Sequence, residues 1–162
     1  CSHLVAGGLS SGFMFASRIV QEPPEDELRE GAWTRIRSRL AGLFGISPLF
    51  YYPAGVFRPC AQPERIPRHI PTLLIWGADD DIAPSGTMEY GLSLAGHYDH
   101  IKARVFRRDE FQEGKPVKHQ FFGGNGFMAP IKNMYWHPDA EREALEMIID
   151  RIPVLKEYKR YG

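Results

Sequence analysis

Short, uniformly apolar runs alternate with longer stretches in which apolar residues recur every three or four positions. Residues 3–7 (His-Leu-Val-Ala-Gly) form a brief apolar run that stops at glycine, as a strand buried in a sheet does. Residues 11–21 place Phe13, Phe15, Ala16, Ile19 and Val20 at helical spacing, and Gln21-Glu22-Pro23-Pro24 ends that helix. A second helix is expected over 25–43, where Leu28, Ala32, Trp33, Ile36, Leu40 and Leu43 follow three- and four-residue steps. Glu25-Asp26-Glu27 complements its N-terminal dipole, and Gly45 stops it.

Residues 46–57 are rich in aromatics but interrupted by Pro48 and Pro53, which leaves a short strand expected near 49–52. Four prolines make 58–71 an irregular loop. The clearest strand follows at Thr72-Leu73-Leu74-Ile75-Trp76, apolar throughout and closed by Gly77. Uniform apolarity is the mark of a parallel strand covered on both faces. A helix over 85–97, a strand over 102–106, a long loop over 108–137 and a helix over 138–152 complete the pattern. Alternating strands and helices predict an α/β fold: one domain with a mostly parallel sheet, flanking helices and right-handed crossovers. In such a sheet, chemistry collects in the loops after the strand C-termini.

Composition narrows the function classes. Twenty Lys and Arg balance twenty Asp and Glu in 162 residues, so there is no bulk electrostatic footprint for nucleic acid or an anionic membrane. Arg35, Arg37 and Arg39 alternate along one stretch and Arg107–Arg108 form a pair; both read as solvated faces. No run approaches the roughly 18 apolar residues that a membrane span needs. Cys1 and Cys60 do not make a disulfide scaffold, which favours a reducing, cytoplasmic setting.

Three of the loops that follow expected strands hold candidate chemistry. Gly8-Leu9-Ser10-Ser11-Gly12 fits G-x-S-x-G between an expected strand and an expected helix. The flanking glycines leave room for a tight turn that would hold the Ser10 oxygen above the sheet, and the Ser11 N–H would point at a developing oxyanion. Gly77-Ala78-Asp79-Asp80-Asp81 follows the strongest strand, and an acid there can orient an imidazole. Asp79–Asp81 could also be a polar turn or a cation site, but no ligand-like spacing continues nearby. His119 follows the last strand, and neutral histidine is the usual general base. Its competitors have local roles: His97 and His100 lie at a helix C-terminus, and His137 precedes Pro138 at a helix start.

The order Ser, Asp, His along the chain, each after a separate strand, is that of the α/β-hydrolases. Within that fold the chain is similar to the dienelactone hydrolase family over residues 3–20 and 70–152. The similarity rests on Ile70-Pro71-Thr72-Leu73-Leu74-Ile75-Trp76-Gly77 with Asp80 and Pro84, on His119-Gln120-Phe121, and on Tyr135 followed by a closing helix with Ala140 and Ala144. This resemblance implies Ser10 as nucleophile, Asp80 as acid, His119 as base and Ser11 N–H as an oxyanion donor. It implies a small-molecule ester substrate and no metal or organic cofactor.

Three departures shape the expectation. Dienelactone hydrolases proper have cysteine where Ser10 stands, so a general carboxylic ester or lactone is expected as substrate. Residues 25–43 resemble an inserted helix over the site, a lid or specificity element. In the family, strands and the loop bearing the second oxyanion N–H precede the nucleophile, and the nine residues before Ser10 cannot hold them. A second chain or a missing N-terminal segment is therefore expected to complete the sheet. The alternative class is a non-catalytic α/β-hydrolase-like subunit that binds a ligand or partner through the aromatic stretches 50–57 and 121–136.

Overall fold

The computed structural model describes residues 3–21, 27–50, 62–83, 86–112, 114–119, 121–122 and 136–159. Cys1, Cys60 and most of the two aromatic stretches lie outside these residues, so the structure says nothing of them. The elements run β1 (Leu4–Leu9), α1 (Ser11–Gln21), α2 (Glu27–Arg39), β2 (Leu40–Ile46), β3 (Thr72–Gly77), α3 (Thr87–His97), β4 (Ile101–Phe106), α4 (Pro138–Arg151) and α5 (Pro153–Lys159). Short 3-10 turns stand at Pro63–Arg65 and Arg108–Glu110. The four strands pair in the order β1-β2-β3-β4, all parallel. The fold is therefore α/β, as the alternation of patterns predicts.

Strands that follow one another in sequence order, joined by right-handed crossovers, send every crossover helix to one face of the sheet. That face here buries Phe13, Met14 and Val20 of α1 and Leu94 of α3 against Leu74 and Trp76 of β3. The opposite face must then be covered from beyond β4. Ala140, Ala144 and Ile148 of α4, with Ile152, do this against Leu73 and Ile75 of β3. All six β3 positions are buried, which is why its sequence is apolar without alternation. Each large side chain so enclosed contributes about 1.5–3 kcal/mol. Gly91 lets α3 sit flush on the sheet, since a Cβ there would stand 2.1 Å from the Trp76 ring.

The chain between α1 and β3 differs from expectation in two places. Residues 40–46 are strand β2, not the end of a helix over 25–43, and the expected strand at 49–52 does not form at Leu49 and Phe50, which are buried outside any strand. The rest of that stretch, Tyr51 and Tyr52, lies outside the described residues. The expectation of a helix over the site is not met by the C-terminal half of α2. Thr34, Arg37 and Ser38 share a cleft with Pro67, His69 and Ile70, just before the N-terminal end of β3. The C-terminal half of α2 thus stands at the strand N-ends, across the sheet from the candidate site.

β1 pairs only with β2, and its other edge is unpaired among the described residues. Leu4 on this strand and Phe15 on the adjoining helix are 40% and 63% exposed. Among the described residues, no helix is long and apolar enough to cross a membrane.

Candidate active site

Ser10 is the first residue after β1, and its backbone is left-handed, with φ 55°. That conformation is uncommon for a residue with a side chain and costs about 1 kcal/mol or more. The neighbouring main chain enforces it. Ser10 N–H donates to Ile46 O of β2 at 2.9 Å, while Ser10 O accepts from Phe13 N and Leu49 N, each at 3.3 Å. The turn delivers the chain directly into α1, so Ser11 N–H lies in the first helical turn, where N–H groups have no intrahelical acceptor.

The two motif glycines are not equivalent. A Cβ on Gly8 would stand 2.3 Å from the Gly12 carbonyl carbon, so strand and helix can cross only over a bare Cα. A Cβ on Gly12 would meet nothing within 4 Å. Gly8→Ala is therefore expected to force the Ser10 turn apart and destabilise the protein by about 1–3 kcal/mol, the usual cost of overpacking. Gly12→Ala is expected to leave the denaturation midpoint unchanged or slightly raised. Equal effects of the two substitutions on urea unfolding would contradict this geometry.

Asp80 and His119 meet, although 39 residues separate them in sequence. His119 Nδ1 lies 2.8 Å from Asp80 Oδ2 and 3.0 Å from Oδ1. Both side chains are enclosed, 3% exposed for His119 and 1% for Asp80. Oδ1 of Asp80 also accepts from Ile82 N and Ala83 N, each at 3.0 Å. Burial acts most strongly on Asp80 and would raise its pKa. The His119 hydrogen bond, the Ala83 and Ile82 N–H groups and the attraction of His119 together outweigh burial, so the carboxyl titrates below its ordinary 3.8. An ionised carboxylate can only accept, so His119 Nδ1 carries the hydrogen and Nε2 is left as the basic nitrogen.

The flanking aspartates are engaged too. Asp79 pairs with Arg108 and accepts from Val117 N at 3.1 Å. Asp81 pairs with Lys118 at 3.4 Å. All three consecutive acids thus contact the segment 117–119: Asp80 from an enclosed position, Asp79 from a partly buried one and Asp81 from an exposed one.

Ser10 stands above β1 and Asp80 above β3, two strand spacings away, about 10 Å. An imidazole with a hydrogen bond on each side spans most of such a gap, since each bond is about 2.8 Å. Among the described residues, however, no hydrogen bond joins Ser10 to His119. The structure therefore brings acid and base together and leaves the serine as a separate neighbour.

The competing histidines have structural roles. His97 Nδ1 bonds Ser93 O at 2.7 Å in the last turn of α3. His137 caps α4, its Nδ1 accepting from Ala140 N at 3.3 Å. His100 is not a helix-terminal residue as expected; it is buried beyond Tyr98, with Nε2 bonded to Ile66 O at 2.9 Å. Sequence reasoning did not single out Ser47. It follows β2, sits between the Ser10 and Asp80 loops, and has a second left-handed backbone, φ 45°. Its N–H donates to Ile75 O at 2.6 Å, and its fully buried hydroxyl has no partner among the described residues. Only its place after an apolar run that ends in Gly45-Ile46 could have drawn attention to it.

Against known proteins, the chain matches no family model and no curated relative.

Proposed function

We propose that the protein is a serine hydrolase of the α/β-hydrolase type that cleaves a carboxylic ester or lactone through an acyl-enzyme. The observation that carries this reading is the enclosed Asp80–His119 pair at the C-terminal ends of a parallel sheet that also presents Ser10 in a left-handed turn. In this reading Nε2 of His119 takes the proton of Ser10 as its oxygen attacks the ester carbonyl. His119 then returns that proton to the departing alkoxide. Water, deprotonated by the same nitrogen, releases the acid. Asp80 fixes the tautomer and stabilises the imidazolium, while Ser11 N–H faces the oxyanion. The missing Ser10–His119 hydrogen bond is compatible with this scheme, because such bonds are commonly long without substrate and tighten when it binds.

The β1 edge, unpaired among the described residues, and the single N–H donor assigned to the oxyanion support a further element. A strand-bearing segment, from a second chain or from the same polypeptide, would extend the sheet and bring a second donor. The other reading is a non-catalytic subunit of the same fold, favoured by the separation of Ser10 from His119.

One experiment tests both. A fluorophosphonate probe, followed by peptide mapping, is expected to modify Ser10, with native mass spectrometry giving the composition of the labelled species. Absence of labelling in folded protein removes the hydrolase and leaves the binding subunit. Efficient labelling of this chain as a lone monomer removes the need for a further segment.

A further inference from the structure

We propose that Asp79, together with Arg108, is a positioning residue that sets where His119 stands. This inference rests on the hydrolase reading for its kinetic consequence alone; its structural content stands apart from it.

His119 comes at the end of a long excursion from β4, which finishes at Phe106. A surface segment of that length wanders unless it is tied, and a general base must be held within about 0.5 Å of its working place. The tie is made two residues before the histidine. Asp79 N–H donates to Val117 O at 3.1 Å, and Val117 N–H donates back to Asp79 Oδ2 at 3.1 Å. Both polar groups of one buried residue are thus taken by a single residue at the β3 exit. The other oxygen, Oδ1, accepts from the Arg108 guanidinium, in the 3-10 turn that leaves β4. One carboxylate therefore fastens both ends of the excursion to the same point.

The tie acts on the site because of sequence adjacency. Asp79 holds the main chain at Val117, and the next residue, Asp80, holds the ring of His119. The two grips share one rigid dipeptide, so the ring cannot approach Asp80 correctly unless Val117 is seated. Gly77 belongs to the same device, since a Cβ there would stand 1.9 Å from Val117 O.

The chemistry calls for aspartate at this position. Asparagine could still accept from Val117 N, but it would turn its NH2 toward the Arg108 guanidinium, donor against donor. Alanine would leave the buried Val117 N–H unsatisfied.

The test is proton NMR of substrate-free Asp79→Asn, Asp79→Ala and Arg108→Gln, reading the low-field resonance of His119 Nδ1–H, with ester turnover measured in parallel. Loss or marked broadening of this resonance is expected in both Asp79 variants while the rest of the spectrum stays folded. A smaller change in the same direction is expected in Arg108→Gln, whose side chain is 59% exposed and whose replacement leaves the core intact. With an active enzyme, kcat is expected to fall about 10- to 100-fold at unchanged KM, the usual effect of a misplacement near 1 Å. A wild-type resonance in folded Asp79→Asn and Arg108→Gln overturns the proposal, whatever their thermal stability. An inactive wild type overturns the hydrolase reading, while the resonance still decides the role of Asp79.

Discussion

Ser10→Gly is expected to give a protein that is inactive and more stable than the parent. The left-handed φ of 55° at Ser10 is one that glycine adopts freely and serine does not. Removing the side chain releases about 1 kcal/mol of backbone strain, which for a domain of this size raises Tm by about 2–4 °C. The bonds that shape the turn survive, because Ile46 O, Phe13 N and Leu49 N all engage main-chain atoms of Ser10. Ester hydrolysis is expected to fall about 10⁵- to 10⁶-fold, the scale seen when a nucleophile is removed from an acyl-enzyme mechanism. Ser10→Ala serves as the control: equally inactive, but with the strain kept and so no gain in Tm. Calorimetry on the two variants beside turnover of a p-nitrophenyl ester reads both quantities. A Ser10→Gly protein that melts below the parent, or that retains turnover, would remove Ser10 from the role proposed for it.

A strained serine fits a more general trade. Backbone held in a sparsely populated region persists only where the surrounding structure over-determines it. The sheet supplies this twice over, at Ser10 and at Ser47, at the exits of two adjacent strands. Both lie at the strand C-ends, beside the Asp80–His119 pair. No left-handed serine occurs at the strand N-ends among the described residues.

The sequence was legible where one physical signal dominated. Leu73–Trp76 is apolar at every position because helices cover both faces of β3, and no amphipathic element could carry that run. Asp80 and His119 were legible through their place in the loops after strands, although only the fold could show them in contact. β2 was misread because a seven-residue apolar run has no periodicity of its own. Leu40 and Leu43 continue the three- and four-residue steps from Ile36, so a helix could run straight through. The contrary signal was Gly42, which costs about 1 kcal/mol inside a helix; Gly45, read as the helix stop, lies in the strand as well. Their reason is tertiary: Cβ atoms there would stand 2.7 Å from Ile152 and 2.8 Å from Phe13, side chains packed on the two faces of the sheet. The helix expected over 138–152 is α4, and the further helix α5 opens at Pro153, since proline suits the first turn of a helix. The separate jobs of Asp79, Asp80 and Asp81 left no trace in the sequence, because their partners Arg108, Val117, His119 and Lys118 are 29 to 39 residues away.

Asp80→Asn, nearly the same in shape, is expected to cost about 10⁴-fold in kcat, because it puts the wrong proton on His119. The direction follows from the bonds that Asp80 makes. Oδ1 accepts from two backbone N–H groups, Ile82 and Ala83, so an asparagine must place its oxygen there. Its NH2 then takes the place of Oδ2, 2.8 Å from His119 Nδ1. A donor facing Nδ1 requires that nitrogen to be bare, which moves the hydrogen to Nε2, the atom that has to receive the serine proton. Nitrogen NMR of the imidazole reads this tautomer directly, and kcat for an ester reads its consequence. Stability adds a second signature. Asp80 titrates below its ordinary 3.8, so its ionised form favours the folded state. That contribution is fully present above the ordinary carboxylate range and fades as the pH falls below it toward the folded-state pKa. Parent and Asp80→Asn should therefore differ in unfolding free energy by a constant amount near neutrality, and the difference should shrink in acid. A constant difference down through the carboxylate range, or an asparagine variant with parental kcat and an unchanged tautomer, would mean that the Asp80–His119 contact is packing and not catalysis.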